Sequence, residues 1–466
     1  MSTSAWERLV FGCLLLVGCN GSDRDATGTG ASLSGITVDP DGSGEGNEGN
    51  DAADSNDDEE KLDVAPSDTD GPPGGDCPGG GGMMMGDDVV FSYIWIANSP
   101  QGTVSKIDTR TGQEIGRYVT GPAEQSEPSR TSVNLLGDVA VSNRGSMAGL
   151  GGSGVLGGTT KIVALEERCV DRNGDGTIQT SHGPTEILAW GEDECVMWNL
   201  AVPSTGYQTG ARPTAWEGST EDNGCAAANP RLWIGWYDVG MGEGVFHRLD
   251  GDTGEVRDTV RVPWNGLSYG PYGGAVNQDG DFWVLGWQLG PLVRIDGDTL
   301  EVERIEMPAP PAPDTQWSYG MSLDQYGNPW IASGGAAAMY DVDAAQWRFA
   351  STGNLSMRGV MVDGADRAWF AVDAAGTGGC GLAVVDVTTM EVLASAAALP
   401  GCVTPVGVSI DVEGYVWVVD QGANAAFKID PDTYQLELSV PGLVNPYTYS
   451  DMTGAGLNLV VNPPVG

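Results

Sequence analysis

The stretch Pro405-Val406-Gly407-Val408-Ser409-Ile410-Asp411-Val412-Glu413-Gly414-Tyr415-Val416-Trp417-Val418-Val419-Asp420 decides the fold. Two runs rich in β-branched residues, 406–410 and 416–419, flank an Asp-x-x-Gly turn. Such residues fit a pleated surface, while a short Asp side chain and a Gly close a tight turn. The second run has Trp at its centre, and that phrase recurs along the chain. Its copies are Ile94-Trp95-Ile96, Val139-Ala140-Val141, Leu232-Trp233-Ile234, Phe282-Trp283-Val284, Pro329-Trp330-Ile331, Ala368-Trp369-Phe370 and Val416-Trp417-Val418. The central positions are 45, 93, 50, 47, 39 and 48 residues apart. One four-stranded sheet needs about that length, and the doubled interval marks one insertion. The expectation is an all-β, seven-bladed β-propeller.

The rest of each repeat follows a common order. A first strand opens near Pro or Gly, as in Pro271-Tyr272-Gly273. The strand after the Trp strand ends in an apolar-Asp pair, at Asp108, Asp250, Asp296, Asp341, Asp386 and Asp430. Asp-x-Asp pairs such as Asp250 and Asp252 could ligate a metal. Their recurrence at one place in the repeat favours turn chemistry instead. Residues 446–454, Pro-Tyr-Thr-Tyr-Ser-Asp-Met-Thr-Gly, look like one more first strand and turn, whereas the unit around Trp95 lacks one. The C-terminal strand is therefore expected to close the propeller, removing open sheet edges. The blades would run from about residue 89 to about residue 461.

The phrases Pro405-Val406-Gly407 through Trp417-Val418-Val419-Asp420, and Lys428-Ile429-Asp430-Pro431-Asp432-Thr433, resemble the streptogramin lyase (virginiamycin B lyase) family. That family is a sevenfold propeller related to NHL-repeat propellers. The resemblance implies the fold and a metal-assisted elimination using His and Glu near the late blades. This chain has two histidines, His182 and His247. None follows position 247, so no catalytic residue carries over and the sequence leans away from catalysis. His247 reads as an ordinary strand residue.

The N-terminal region is a different material. Leu9 to Val17 is too short to span a bilayer and fits the apolar core of a secretion signal. Leu16-Val17-Gly18-Cys19 resembles the bacterial lipobox, so residues 1–18 are expected to be a signal peptide and Cys19 the lipidated first residue of the mature protein. Asn20 after it leans toward the outer membrane. The expected location is the bacterial cell envelope, at its periplasmic or surface face. Residues 20–76 hold sixteen acidic and two basic side chains and almost no aromatics. They cannot bury enough apolar surface to order themselves, and read as a self-repelling acidic tether. The propeller would occupy 77–466. A formal net charge of −42 argues against nucleic acid as a partner.

Without Cys13 and Cys19, six cysteines remain, an even number that suits an exported, disulfide-bonded chain. Proximity pairs Cys169 with Cys195 and Cys380 with Cys402, leaving Cys77 and Cys225. The insertion, about 168–200, carries Asp171-Arg172-Asn173-Gly174-Asp175-Gly176-Thr177-Ile178. Asp171, Asn173 and Asp175, with the Thr177 carbonyl, match the start of an EF-hand-like loop, so structural Ca2+ is expected there. His182 replaces the usual acid at the twelfth position. Glu186, Glu192, Asp193 or Glu194 could supply it. The other reading is a polar turn without metal.

Aligning the repeats brings Ser129 or Arg130, Thr214, Tyr272, Tyr319, Arg358, Val406 and Tyr447 to equivalent places, with Tyr269 and Trp317 nearby in sequence. These positions line one mouth of a propeller channel. Arg130, Tyr272, Tyr319, Arg358 and Tyr447 are the candidate ligand-binding set for a small molecule, glycan or protein. The same residues could instead simply plug the channel. The sequence thus supports a lipid-anchored binding or display protein, with a divergent metal-assisted lyase or a purely structural envelope protein as alternatives.

Overall fold

The computed structural model describes residues 92–123, 127–145, 157–203, 209–218, 230–264, 269–288, 290–309, 311, 318–373 and 380–463. They fold into antiparallel sheets whose strands lie side by side in chain order. β1 (Tyr93–Asn98), β2 (Thr103–Asp108) and β3 (Glu114–Val119) form the first sheet. The second holds β4 (Pro128–Val133), β5 (Val139–Asn143), β6 (Gly157–Ile162) and β7 (Val196–Val202). The third holds β8 (Thr214–Trp216), β9 (Leu232–Asp238), β10 (Glu243–Leu249) and β11 (Val256–Pro263). β12 (Pro271–Val276), β13 (Phe282–Gly286), β14 (Leu292–Ile295) and β15 (Val302–Ile305) make the fourth. A seven-stranded sheet follows: β16 (Met321–Leu323), β17 (Pro329–Ala332), β18 (Gly334–Asp341), β19 (Gln346–Val362), β20 (Arg367–Asp373), β21 (Gly381–Asp386) and β22 (Val392–Ala398). The last sheet is β23 (Pro405–Ile410), β24 (Val416–Asp420), β25 (Ala425–Ile429) and β26 (Leu436–Pro441).

The seven-stranded sheet contains two sequence repeats joined by one long strand. β19 runs for 17 residues. Its start pairs with β18, Gln346 opposite Asp341, and its end pairs with β20, Val362 opposite Ala368. It closes one repeat and opens the next without a connecting loop. β1, the Trp strand of its sheet, neighbours β4, and the first strands β4, β8, β12, β16, β19 and β23 are neighbours in that order, which is the packing of a β-propeller. Their backbones meet closely. A Cβ on Gly359 would stand 2.7 Å from the Gly407 Cα, and one on Gly407 would stand 1.8 Å from the Thr448 carbonyl oxygen. Only glycine fits where strands converge this tightly.

The central Trp residues are core, as the sequence implies. Trp95, Trp233, Trp283, Trp330, Trp369 and Trp417 are all at most 1% exposed. Several reach across to the next sheet. Trp233 stacks on Phe282 at 5.2 Å between ring centroids. Trp369 packs among Val408, Ile410 and Val416, and Trp417 among Ile94 and Ile96. No single sheet could bury these rings alone, so each depends on its neighbour.

The recurring acids tie this core to the turns. Asp324, Asp363 and Asp411 each accept two backbone N–H groups with Oδ1, all at 2.9–3.0 Å. Their Oδ2 atoms accept the indole N–H of Trp330, Trp369 and Trp417, each at 2.9 Å. In the fourth sheet Asn277 holds the equivalent place, and its amide turns to Asp281 instead. The Trp283 indole N–H is left without a partner. The other acid series closes the later turn. Oδ1 of Asp108, Asp250, Asp296, Asp386 and Asp430 accepts both the amide and the hydroxyl of the Thr three residues on. This is turn geometry, as their recurrence suggests.

Beyond β26 the chain returns to β1. The Tyr447 amide donates to the Ala97 carbonyl (3.0 Å), and the Trp95 amide donates to the Met452 carbonyl (2.9 Å). Between them the Ala97 amide donates to the Thr448 hydroxyl (3.0 Å) rather than to a carbonyl. That side-chain bond interrupts the ladder, leaving one isolated bridge, Asn98 with Pro446, where the sequence suggested a regular strand. The helix α1 (Ala455–Val461) follows. Asp451 starts it, accepting the amides of Gly454 (2.8 Å) and Leu457 (3.0 Å). Leu457, Leu459 and Val460 then enter three separate apolar clusters drawn from different sheets. A short helix with apolar side chains on several faces is stable here because sheets surround it.

Candidate ligand site at the channel mouth

The opening residues of the first strands bring a layer of arginines and tyrosines together. Arg130 lies on β4, Tyr272 on β12 and Arg358 on β19, while Tyr319 just precedes β16. Tyr272, Tyr319 and Tyr449 form a buried aromatic cluster, with Tyr269, Trp287 and Tyr447 packed against it half-buried. Four of the five candidate ligand residues meet here directly: Arg130, Tyr272, Tyr319 and Tyr447. Arg358 approaches the Tyr319 ring at 5.9 Å and is ion-paired to Asp373. Val406 does not join, because it packs into the apolar cluster around Trp417.

Three further residues belong to the site that sequence alignment passed over. Arg144 directly follows β5 and stands 4.6 Å from the Tyr447 ring. Arg212 stands 5.0 Å from Tyr269 and 5.5 Å from Tyr272. Tyr449 lies 4.9 Å from Tyr319 and 5.7 Å from Tyr272. A signal existed for two of them. Tyr449 is two places beyond Tyr447, so an extended chain puts both on one side. Arg212 is two places before the aligned Thr214. Arg144 follows a second strand, not a first, so no alignment of strand starts could find it.

Burial and cations set the electrostatics. The Arg130 guanidinium lies 3.1 Å from the Tyr449 ring centroid and 4.8 Å from that of Tyr272. It donates to the carbonyls of Tyr272 (2.9 Å) and Ser129 (3.2 Å). The Arg130 Nε, the Ser129 hydroxyl and the Tyr449 hydroxyl are buried without a hydrogen-bond partner. The Tyr447 oxygen meets the hydroxyl of Tyr272 (3.2 Å) and that of Tyr319. Burial raises the phenols of Tyr272, Tyr319 and Tyr449 above the ordinary value. Burial acts on Tyr447 in the same sense, but Arg144, Arg130 and the two phenol hydrogen bonds outweigh it and lower its pKa. Tyr447 is thus the member of this layer most inclined to carry negative charge.

The insertion lies between β6 and β7, and a Cys169–Cys195 disulfide closes it. Cys380 and Cys402 are likewise bonded. In the loop, Asp171 accepts the Gly174 amide (2.6 Å) and the Gly176 amide (2.9 Å). Asn173 accepts the Asp175 amide (2.8 Å), and Asp175 accepts the Thr177 amide (2.9 Å). The Thr177 carbonyl accepts the Gln179 side-chain amide (2.9 Å). Gly174 and Gly176 adopt φ of 73° and 83°, which explains the glycines. Glu194 and Asp193 are buried. Glu194 holds the amides of Arg172, Asn173 and Gln179, and Asp193 holds Ser181 and Cys195. Of the four acids considered for the twelfth position, these two are committed to the loop frame. Glu186 and Glu192 are exposed, as is His182. His247 is a strand residue with its ring 4.7 Å from Trp236. Cys19, Cys77, Cys225, Trp317 and the 20–76 segment lie outside the described residues.

No protein-family model matches the sequence, and no curated protein matches it. Solved structures of similar fold exist. A protein from Lactobacillus plantarum matches with a TM-score of 0.51 at 12% identity, over 77% of this chain and 98% of its own. Catalytically inactive virginiamycin B lyase from Staphylococcus aureus, with quinupristin, matches at 0.46 and 13% identity, over 69% of this chain and 86% of that one. AztD from Citrobacter koseri matches at 0.42 and 11%, over 77% and 96%. At 12% identity the Lactobacillus plantarum match shows a likeness of fold alone, in keeping with the β-propeller packing of the strands.

Proposed function

We propose that the protein is a lipid-anchored propeller of the cell envelope that binds a ligand at the Arg130–Tyr447 mouth. The observation that carries the reading is the set of buried polar atoms left unpartnered there, on Arg130, Ser129 and Tyr449. Buried polar groups normally find partners, and exceptions call for an explanation. A ligand that completes them is one. Titration with glycans, linear peptides and cyclic depsipeptides, followed by tryptophan and tyrosine fluorescence, tests the reading. Binding that Tyr319→Ala weakens supports it, and silence across the panel counts against it.

The fold part of the proposal is seven blades, with residues 446–452 completing the first. The three strands β1–β3 and the hydrogen bonds from this segment to β1 support it. Anchoring rests on the lipobox-like sequence at Cys19. Cys19→Ser should release the protein from membranes, and sedimentation with the envelope after a high-salt wash would count against it. Calcium in the 171–177 loop is proposed from the spacing of its oxygens. Carboxylates that already accept amides keep lone pairs for a cation.

A divergent lyase is the alternative. Tyr447 favours it, since a phenol lowered by Arg144 and Arg130 could act as a general base. Turnover of a cyclic depsipeptide that Tyr447→Phe abolishes would select this reading.

A further inference from the structure

Arg130 differs from most buried cations among the described residues. Arg117 pairs with Glu114 (2.6 Å), Arg248 with Glu217 (2.7 Å) and Lys428 with Asp411 (3.0 Å). Arg130 is 1% exposed, yet it forms no ion pair among the described residues. The chain has 64 acidic residues from which a partner could come. A guanidinium cannot shed its proton to escape burial. A buried, unpaired charge is costly and is normally compensated. Two carbonyl oxygens and two ring faces solvate this one only in part, and its Nε stays unpartnered. The hydroxyl of Tyr449, whose ring lies against it, is a second buried group without a partner.

We propose that the mouth recognises a small molecule carrying an oxyanion, a carboxylate or a phosphoryl group, on an aromatic or apolar body. The inference rests on the binding reading above and names the ligand class. Arg130 reads the charge from below. A planar guanidinium matches the paired oxygens of either group, and the Tyr449 hydroxyl can donate a further hydrogen bond. Arg358, half-buried at the rim and anchored by Asp373, offers a second cation on the approach. Tyr269 and Trp287, edge to face at 4.4 Å and half-buried, give the apolar body a wall. The net negative charge of the chain does not forbid an anion here. At physiological salt, charges beyond a Debye length of about 8 Å are largely screened, while buried guanidiniums are screened far less.

Calorimetric titration of the full chain with benzoate, phenyl phosphate, benzamide and benzylammonium tests the proposal. Benzoate or phenyl phosphate should bind, with benzamide at least about tenfold weaker and benzylammonium silent. Preference between the two anions identifies which oxyanion is read. Arg130→Gln should abolish the preference for benzoate over benzamide. Should that variant not fold, Arg358→Gln, with its side chain at the rim, should cut anion affinity several-fold in a chain that still melts in a single transition. Equal binding of benzoate and benzamide overturns the anion inference and leaves the binding reading standing. Undiminished benzoate binding in both folded variants also overturns it. No binding by these probes, with a hit from the glycan and peptide panel, overturns it alone. Silence in both experiments removes the binding reading as well.

Discussion

Asp324 illustrates how single residues hold this molecule. One carboxylate satisfies two backbone amides of its turn and the indole N–H of a fully buried Trp330. Burial raises its pKa even so, because desolvation outweighs those hydrogen bonds. Asp324→Ala would remove all three acceptors at once and strand the indole N–H in the core. Such losses cost about 2–4 kcal/mol. Chemical denaturation should give a lower midpoint with an unchanged slope. The fourth sheet lives with part of this defect already, since Trp283 has no acceptor. Asn277→Asp is the matching gain-of-stability test, because an Asp there could reach the indole as its counterparts do.

The elements of interest are the C-terminal segment and the disulfide-closed insertion. Residues 446–452 bond to β1, while α1 joins three apolar clusters. They should therefore fail differently. Removing 455–466 deletes Leu457, Leu459 and Val460, lowering the melting temperature but keeping a single transition. Removing 446–466 also opens the edge of β1 and should abolish cooperative unfolding. If both truncations melt alike, the segment does not complete the first sheet. In the insertion, calcium binding to the folded state would add stability by mass action, about 2.7 kcal/mol at a hundredfold excess over the dissociation constant. Millimolar calcium should raise the melting temperature, and Asp175→Ala should cancel the rise. Identical curves with calcium and chelator would leave a metal-free turn.

For the whole molecule, titration predicts a stability profile with a shoulder on the alkaline side. Lys106 is buried, and burial lowers its pKa to about 8 despite Asp138, Glu167 and Glu166 nearby. Between about pH 8 and the ordinary lysine value of 10.5, the unfolded chain binds the extra proton. Stability must then rise with pH, by up to about 1.4 kcal/mol per unit from this group. The buried phenols act in the opposite sense. Tyr118, Tyr272, Tyr319 and Tyr449 all have raised pKa values, chiefly through burial. Their protons stay on in the folded state when the unfolded state loses them at about pH 10. Their contribution is complete below that pH and is lost as pH rises through it. Melting temperature should climb gently above pH 8 and fall steeply beyond pH 10. Lys106→Met should flatten the climb and spare the fall.

The sequence by itself determined the repeat. β-Branched runs, Asp-Gly turns and a Trp every 39 to 50 residues, with one longer interval, specify sheets of one kind that cannot bury their own Trp faces. It determined the turn role of the acids such as Asp296 and Asp430, because a local hydrogen bond needs only local sequence. It placed Arg130, Tyr272, Tyr319 and Tyr447 together, because equivalent positions in a repeat around an axis must converge. Tertiary structure alone decided the rest. Arg144 joins the site from the end of β5, a second strand that shares no register with the strand starts. α1 is a helix because three clusters accept its side chains, not because seven residues would be helical in water. The Thr448 hydroxyl replaces a ladder carbonyl because of where the returning chain meets Ala97. Whether Tyr447 leans toward its anion was decided by packing too, since two distant arginines and two distant phenols set its charge.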